Sequence, residues 1–390
     1  MRIGIDARKL HDGGIGTYIR GLLGAFARGP QGHEFIALVA PEDRGRLARD
    51  GAAAGEAAVG GGAVRGDAAG ARGPVISEVP VRAGKYSLVE HFVVARAARA
   101  AGVDLLHAPH YTLPLAWAGP AVVTIHDLIH VRHADFFRPG TGLLARALAG
   151  AAARRARLVL TGSTHSRGEI VELLRIPQEK IRITPYGVSP AIGRRPPEEV
   201  DAFRAARGLP DSYVLYVGAR KRHKNVETLL RALGRIPARS RPPLVLSGPP
   251  WRPGEPLART AREAGVETDL RFAGPLATDK ELSLLYSGAA IYAQPSLDEG
   301  FGLPPLEAMA CGVPVVASPA GALRETLGDA AVLVAPDRPD DWAEAIGALL
   351  RDTPRREELK RAGVEHARRF TWDRTAALTI EAYREAARNV

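Results

Sequence analysis

Short, mostly apolar runs alternate with segments of helical spacing along this chain, and the alternation begins anew near residue 213. Such runs between helices are typical of parallel strands that are covered on both faces. Two such series predict an α/β protein with two doubly wound domains. A length of 390 residues is enough for each domain to form its own core. The predicted strands lie at 2–6, 35–39, 103–107, 121–125 and 158–160, and then at 213–217, 243–246, 270–272, 289–293 and 313–317.

The segment 181–190 predicts a last strand of the first series and then a hinge of proline and glycine that separates the two series. It predicts an N-terminal domain at 1–187 and a C-terminal domain at 188–370. Residues 51–73 are almost entirely Ala, Gly and Arg, which predicts a flexible surface insertion without a site. Phe370-Thr371-Trp372 begins a last predicted helix that extends to about residue 387.

Positive charge is concentrated in the first half of the chain. Residues 1–190 contain 24 Lys and Arg against 16 Asp and Glu, whereas the remainder contains 29 against 27. No nucleic-acid-binding motif accompanies the excess, so we expect no nucleic acid partner. Residues 143–157 mix Leu and Ala with four Arg and predict a peripheral contact with an anionic membrane surface. A general preference of the genome for arginine explains the excess equally well.

The single cysteine, Cys311, excludes a disulfide framework and is typical of a reducing compartment. The first residues enter a strand directly, and no apolar run reaches the length of a membrane span. The sequence therefore predicts a cytoplasmic protein, with a peripheral position at the inner face of the membrane as a further expectation.

A segment rich in glycine, proline and acidic residues, 294–318, predicts a strand end, a turn, a short helix at 306–311 and another strand. Backbone amides of Gly302 and Leu303 at the start of that helix would favour a phosphate. Glu299 and Glu307, with seven residues between them, flank these amides. Because carboxylates accept well from sugar hydroxyls, the combination indicates a nucleotide-sugar site. In the alternative interpretation, Glu299 is a solvated loop charge, and Glu307 is a first-turn glutamate that the helix dipole favours.

A basic loop, 218–225, lies between a predicted strand and a predicted helix of the second series. Its four cations would neutralise a diphosphate at the ligand-binding edge of the sheet. A solvated loop is the alternative.

Polar residues also follow predicted strands of the first half. A glycine loop, 12–16, precedes a helix predicted at 17–27, and such a loop lets a ligand approach the backbone. His126 follows the strand at 121–125 and suits contact with a sugar or phosphate. His126, His130 and His133 lack recognisable metal-ligand spacing, so we predict no metal site. The candidates for acceptor contact after the strand at 103–107 are His107, His110 and Tyr111.

The paired glutamates around Phe301-Gly302-Leu303 resemble the donor-site signature of retaining GT-B glycosyltransferases of family 4, the glycosyl transferases group 1. The runs at 13–16 and 124–127 are similar to those of bacterial mannosyltransferases. The resemblance implies the GT-B fold, in which two Rossmann-like domains face a central cleft and the last helix, 371–390, crosses back. It also implies donor-binding residues, namely Gly13, Gly14, Gly274, Gly300, Phe301, Gly302, Leu303 and Glu307. Of these, Gly274 lies in a turn, 272–275, that would hold the nucleobase through backbone groups.

The resemblance further implies the catalytic residues. Lys224 matches the phosphate-binding lysine of the basic loop, and Arg220 is preferred over Arg222 as its arginine partner. Glu299 would accept from the transferred sugar, Glu307 from ribose hydroxyls, and His126 would contact the transferred sugar. No carboxylate is an obvious nucleophile, so a same-face displacement is implied. The nucleotide-sugar is a substrate, and no cofactor or metal is expected.

These observations predict a retaining enzyme that transfers a hexose from a nucleotide-diphosphate sugar to a glycan or lipid-linked acceptor in cell-surface polysaccharide synthesis. GDP-mannose is the favoured donor, and UDP-sugars are the alternative. Rival interpretations are a glycoside hydrolase that uses Glu299 and Glu307 as acid and base, a nucleotide-sugar epimerase, and a non-catalytic scaffold that binds a sugar nucleotide. The basic loop argues against a hydrolase, because a hydrolase has no need of a diphosphate site.

Overall fold

The chain divides into two α/β units, Met1–Gly187 with Trp372–Val390, and Val188–Thr371. The computed structural model describes residues 1–29, 32–45, 76–84, 87, 89–252 and 254–388. The insertion predicted at 51–73 lies outside the described residues. The division after residue 187 coincides with the end of the predicted N-terminal domain, and the chain enters its first unit again at Trp372 rather than at residue 371.

The first unit is built on a parallel sheet of seven strands in the order β3-β2-β1-β4-β5-β6-β7. The central β1 pairs with β2 on one side and β4 on the other, which is the order of a doubly wound sheet. The strands are β1 Arg2–Asp6, β2 Glu34–Val39, β3 Ser77–Pro80, β4 Leu105–Ala108, β5 Ala121–Thr124, β6 Leu158–Thr161 and β7 Ile181–Ile183. The helices are α1 Gly13–Arg28, α2 Glu90–Ala100, α3 Ile129–Arg132, α4 Thr141–Arg155, α5 Thr164–Leu174 and, at the end of the chain, α14 Trp372–Arg388.

The second unit repeats this architecture with six parallel strands in the order β10-β9-β8-β11-β12-β13. The strands are β8 Val214–Tyr216, β9 Leu244–Leu246, β10 Leu270–Phe272, β11 Ile291–Gln294, β12 Val315–Ala317 and β13 Val332–Leu333. The helices are α6 Pro197–Arg207, α7 Val226–Arg235, α8 Pro256–Glu263, α9 Asp279–Ser287, α10 Leu303–Ala310, α11 Leu323–Leu327, α12 Pro339–Arg351 and α13 Thr353–Ala367. Two Rossmann-like sheets are thus present, as the alternation in the sequence predicts.

Burial explains why short apolar runs form these sheets. Strands β4, β5 and β6 are buried along their whole length and are apolar apart from one buried polar residue each, His107, Thr124 and Thr161. In the second unit, α7 buries Val226, Leu229, Leu230 and Leu233, which recur with helical spacing, against the same core as Trp342 of α12. Each such side chain contributes about 1.5–3 kcal/mol of transfer free energy.

The strand order also determines where polar loops converge. In each sheet the order reverses beside the first strand of the unit, between β1 and β4 and between β8 and β11. The carboxyl ends of the strands at such a point form the ligand-binding crevice of open α/β sheets. The glycine loop, 12–16, follows β1, and the basic loop, 218–225, follows β8. The turn that contains Glu299 follows β11.

The last helix, α14, packs in the first unit. Trp372 lies in edge contact with Tyr18 of α1, with ring centroids 6.0 Å apart. Tyr383 hydrogen-bonds with His107 Nδ1 at 2.6 Å. Within the described residues, none of the helices has the length and apolar composition that a membrane crossing requires.

Two glycines on α1 give a test of this packing. A Cβ at Gly21 would lie 2.1 Å from the Trp372 ring, whereas the nearest atom to a Cβ at Gly24 is an Arg28 nitrogen at 3.6 Å. Gly21→Ala should therefore lower the free energy of unfolding by about 1–3 kcal/mol. Gly24→Ala should raise it by up to about 1 kcal/mol, because alanine favours a helix. Denaturant unfolding measures both, and equal effects of the two substitutions would contradict the described packing.

Candidate active site

In the second unit, an ion pair joins Lys224 of the loop after β8 to Glu299 of the turn after β11. Lys224 ends a 3₁₀ turn, Arg222–Lys224, in the loop after β8. Its Nζ donates to Oε1 and Oε2 of Glu299, each at 2.8 Å. Glu299 is only 6% exposed. A lysine held by both oxygens stabilises the charge of a carboxylate that has lost most of its water.

Two neutral donors from the end of β11 also hold the Glu299 carboxylate. Gln294 Nε2 donates to Oε1 at 2.8 Å, and Ser296 Oγ donates to the same oxygen at 2.7 Å. The Tyr292 hydroxyl donates to the side-chain carbonyl of Gln294. Gln294, Ser296 and Tyr292 are buried. The turn therefore presents a carboxylate with a defined orientation.

The backbone of the Glu299 turn is supported by its neighbours. Ala322 N donates to Glu299 O at 2.8 Å, and Leu297 N donates to His223 O in the basic loop at 2.7 Å. Gly321 has a φ of +58°, and a Cβ there would lie 2.4 Å from Glu299 O. A side chain at residue 321 would thus displace the turn.

Helix α10 begins at Leu303, three residues before the predicted start at 306. The prediction was wrong because Pro304 and Pro305 lie inside the first helical turn, where a missing N–H is tolerated. Gly302 precedes the helix with a φ of +99°. In the described parts of the chain, the amides of Gly302 and Leu303 donate to no other group. Because the prolines carry no N–H, anion binding at this helix end depends chiefly on these two amides.

Glu307 lies on α10 in a different environment. Its Oε2 accepts from the hydroxyl of the buried Tyr286 at 2.9 Å. Burial of its carboxyl raises the pKa of Glu307 to about 7. The hydrogen bond from Tyr286 opposes this rise, and the nearby charge of Asp279 adds to it. The carboxylate therefore changes charge close to neutral pH.

The two arginine candidates of the basic loop differ in their surroundings. Arg220 donates to Pro249 O and lies 3.9 Å from Glu255. Arg222 is exposed. The preference for Arg220 as the phosphate ligand stays a prediction.

The turn predicted to hold a nucleobase is closed by its own backbone bonds. Gly274 and Gly248 exchange N–H···O bonds of 3.2 and 3.1 Å, and Gly274 has a φ of +71°. Arg207 donates to Ala273 O and, at 3.0 Å, to Pro275 O. The Gly274 N–H is committed to Gly248, but the Gly274 carbonyl retains a second lone pair for a nucleobase donor. The role of Gly274 stays a prediction.

His126 is held on both sides of its ring in the first unit. Nε2 lies 2.9 Å from Pro109 O, and Nδ1 lies 2.7 Å from the hydroxyl of Tyr186. Because a carbonyl only accepts, Nε2 carries the proton and Nδ1 accepts from Tyr186. Burial lowers the pKa of His126 and favours this neutral form. Contact with a sugar through a ring nitrogen depends on an exchange of one of these bonds, so the predicted role of His126 stays a prediction.

The other histidines after β4 are placed differently from one another. His107 is fully buried, and its Nε2 hydrogen-bonds with Thr124 at 2.7 Å in addition to the bond with Tyr383. Both ring nitrogens of His107 are thus occupied within the protein. The predicted contact of His107 with the acceptor substrate does not fit this placement. His110 Nδ1 lies 3.4 Å from Lys9 Nζ, and burial lowers the pKa of His110 to about 2.

The other residues proposed for the first unit lie at the same sheet edge. The ring of Tyr111 lies against that of His110, with centroids 3.8 Å apart. Helix α1 begins at Gly13, four residues before its predicted start, because Gly13 enters the helix with a φ of +48°. Gly13 and Gly14 are exposed. Contact of Tyr111 and His110 with an acceptor, and of the glycines with a donor, stays a prediction.

Several functional neighbours escape sequence reasoning. Gln294, Ser296 and Gly321 support Glu299, Tyr286 supports Glu307, and Tyr186 supports His126. Gln294 and Ser296 belong to the Gln-Pro-Ser start of the segment 294–318, so the motif itself indicates their neighbourhood. Tyr186 is 60 residues from its partner, and no local pattern indicates the pairing.

The charge of Glu307 makes a testable contribution to stability. Its pKa rises from an ordinary 4.5 to about 7 on folding, so the folded chain holds a proton that the unfolded chain releases. This contribution to stability decreases as the pH rises from about 4.5 to about 7. Glu307→Gln should therefore raise the free energy of unfolding at pH 8 by about 1–3 kcal/mol and change it little at pH 4.

Glu344→Gln, at an exposed position of α12, is the matched control and should give the same small change at both pH values. Denaturant unfolding at the two pH values measures both variants. A Glu307→Gln effect that does not differ between pH 4 and pH 8 would contradict the described environment of Glu307.

Comparison with known proteins places this chain among glycosyltransferases. The family model described as glycosyl transferases group 1 matches residues 199–366, and that of glycosyltransferase family 4 matches residues 12–192. O-antigen chain mannosyltransferase B of Escherichia coli is 32% identical over 283 residues, which are 72% of this chain and 74% of that protein. D-inositol 3-phosphate glycosyltransferase of Acidothermus cellulolyticus is 36% identical over 288 residues, which are 69% of this chain and 63% of that protein.

Solved structures show the same fold. Sucrose-phosphate synthase from Thermosynechococcus elongatus superposes with a TM-score of 0.75 at 22% identity, and the match covers 100% of both chains. HepE of Anabaena, solved in complex with UDP-glucose, superposes with a TM-score of 0.72 at 19% identity, and the match covers 99% of this chain and 100% of that one. The chain therefore belongs to the GT-B glycosyltransferases of family 4.

Proposed function

We propose that this glycosyltransferase moves a hexose from a nucleotide-diphosphate sugar to a glycan or lipid-linked acceptor in cell-surface polysaccharide synthesis, with retention of anomeric configuration. The observation that carries the proposal is the ion pair of Lys224 and Glu299 at the point of the second sheet where the strand order reverses. Glu299 lies in the same turn as the amides of Gly302 and Leu303. Cationic and amide donors suit a diphosphate, and carboxylates suit sugar hydroxyls.

Different residues of the site bind different parts of the proposed donor. Lys224 uses two of its three N–H bonds on Glu299, and the third is available for a phosphate oxygen. Together with the two amides and Arg220, it stabilises the charge that develops on the leaving diphosphate. Glu307 accepts from ribose hydroxyls, and Glu299 accepts from the transferred sugar.

The hydrogen-bonded state of Glu299 supports the proposed retention. Its carboxylate is bound by Lys224, Gln294 and Ser296, which makes it a poor nucleophile and a good hydroxyl acceptor. We therefore propose a same-face displacement in which the leaving phosphate accepts the proton of the incoming acceptor hydroxyl. A glycoside hydrolase with Glu299 and Glu307 as its acid and base would turn over a glycoside without any nucleotide.

Mannose from GDP-mannose is our proposed donor sugar, because a relative that is 32% identical is an O-antigen chain mannosyltransferase. UDP-sugars are the competing class, since a protein of the same fold was solved with UDP-glucose. The inositol phosphate of the second relative's name suggests a competing acceptor class.

Nucleotide binding gives the most direct test of the proposal. Isothermal calorimetry with GDP, GDP-mannose, UDP and UDP-glucose should show binding, with the guanine nucleotides tighter. Lys224→Ala should weaken the binding of the preferred diphosphate by about 10-fold or more, because it removes a charge-assisted bond. Lys221→Ala is the matched control, because Lys221 is an exposed lysine of the same loop, and should change the affinity little.

Failure of all four nucleotides to bind the unmodified chain would overturn the proposed function. Tighter binding of the uracil nucleotides would overturn only the assignment of the donor. Equal effects of Lys224→Ala and Lys221→Ala would remove Lys224 from the diphosphate site.

We also propose that the first unit contacts an anionic membrane through α4. Leu143 and Leu144 at the start of this helix are 76% and 62% exposed. Arg138 and Arg146, which are also exposed, flank them. Exposed leucines between arginines suit the boundary between lipid headgroups and acyl chains. A lipid-linked acceptor would be reached from that position.

Vesicle sedimentation tests the membrane contact. The chain should sediment with vesicles of phosphatidylglycerol and phosphatidylcholine, and much less with phosphatidylcholine alone, because the arginines need anionic lipid. The double substitution Leu143→Ser and Leu144→Ser should reduce the bound fraction several-fold. Leu115→Ser is the matched control, because Leu115 is 65% exposed elsewhere in the first unit. Equal loss in both variants, or no sedimentation of the unmodified chain, would contradict the proposal.

A further inference from the structure

We infer that Gln294 and Ser296 are positioning residues that bind one oxygen of Glu299 to the protein and leave the other as the oxygen that accepts from the transferred sugar. The inference rests on the proposed function, because it assigns a mechanism to the sugar-binding carboxylate of that site. It concerns residues that touch Glu299 and not the substrate.

The two oxygens of Glu299 have unequal surroundings. Oε1 accepts from Lys224 at 2.8 Å, from Gln294 at 2.8 Å and from Ser296 at 2.7 Å. Oε2 accepts from Lys224 at 2.8 Å, and among the described residues it has no further donor. Each carboxylate oxygen offers about two lone pairs. Oε1 is therefore saturated, and Oε2 retains capacity for one hydroxyl.

The orientation of Gln294 is determined by what it contacts. An ionised carboxylate only accepts, so the group that lies 2.8 Å from Glu299 Oε1 is the amide NH₂ of Gln294. The opposite end of the amide is the carbonyl, and it accepts from the Tyr292 hydroxyl. The same NH₂ also donates to Ser296 Oγ at 2.8 Å, which directs the serine proton to Glu299. One direction of donation thus runs from Tyr292 through Gln294 and Ser296 to Oε1.

The donation of hydrogen bonds to Oε1 restricts which sugars the site can bind. With Oε1 saturated, Glu299 presents an acceptor and no donor, so the transferred sugar must offer a hydroxyl proton at Oε2. A deoxy sugar that lacks this hydroxyl would leave Oε2 with Lys224 as its one donor among the described residues. The remaining lone pair of this buried oxygen would then be unsatisfied, which weakens binding. Gln294 and Ser296 thereby contribute to specificity without touching the donor.

Gln294→Met tests the inference, since it keeps approximate volume and removes the NH₂ donor. With the 390-residue chain and the donor that it turns over, GDP-mannose or UDP-glucose, the rate of nucleoside diphosphate release should fall about 10- to 100-fold. The affinity for free GDP or UDP should stay the same, because neither carries the sugar. Gln178→Met, at an exposed position in the first unit, is the matched control and should behave like the unmodified chain.

A double-substitution cycle separates positioning from a general structural effect. The readout is the ratio of the affinity for the intact donor to the affinity for its free diphosphate, which reports the sugar's share of binding. Gln294→Met should lower this ratio in the unmodified chain and should have no further effect in Glu299→Ala, where no carboxylate remains to be positioned. Ser296→Ala should behave in the same way, and it serves as the second variant if Gln294→Met does not fold.

The outcomes distinguish this inference from the proposed function. If the unmodified chain binds neither donor, the proposed function fails. If it binds and turns over a donor while Gln294→Met and Ser296→Ala release diphosphate at the unmodified rate, only the positioning inference fails. Losses that are as large in the Glu299→Ala background as in the unmodified chain would also overturn it, because the residues would then act independently of Glu299.

Discussion

The arrangement of the candidate active site in the second unit depends on the buried carboxylate of Glu299. An unpaired charge at 6% exposure would lose most of its hydration, at a cost of several kcal/mol. Lys224 and two neutral donors replace that water. The lysine comes from the loop after β8 and the neutral donors from the end of β11, and these strands are neighbours in the sheet. The pairing of two core strands thus brings the charge and its partners together.

The backbone around this carboxylate is as constrained as its side chain. The turn is tied to the basic loop through the carbonyl of His223 and to the segment after β12 through the amide of Ala322. Gly321 permits that second approach, since a Cβ there would overlap the carbonyl oxygen of Glu299. The donors and acceptors therefore have defined positions before a ligand arrives, which is the condition under which electrostatic stabilisation is most effective.

The sequence predicts the two sheets well because a strand buried on both faces is a short apolar run wherever it occurs. It misses β3, whose residues Ser77–Pro80 are only partly buried at a sheet edge, and β13, which has two residues. It places the starts of α1 and α10 too late, because glycine and proline usually mark turns, whereas here they occupy first helical turns.

The same limit applies to the active site. Residue type and motif spacing single out Lys224 and Glu299, and the structure brings their side chains together, while their roles stay predictions. The support from Gly321 depends on tertiary proximity, which spacing does not encode. His107 illustrates the reverse case. A histidine at a strand end has the same local sequence whether its ring faces the edge or the core, and here its partner Tyr383 lies 276 residues away on the last helix.

The two glutamates of one motif have opposite electrostatic surroundings, and this difference gives each a distinct part in the proposed function. Glu299 is held by a cation and by neutral donors, so its charge is stabilised before the donor binds. Glu307 has a tyrosine hydroxyl as its partner, and burial raises its pKa to about 7. Ribose hydroxyls that donate to Glu307 would favour its ionised form and lower that pKa. Nucleoside binding would then release a proton near neutral pH, so affinity for the nucleoside should increase as Glu307 ionises.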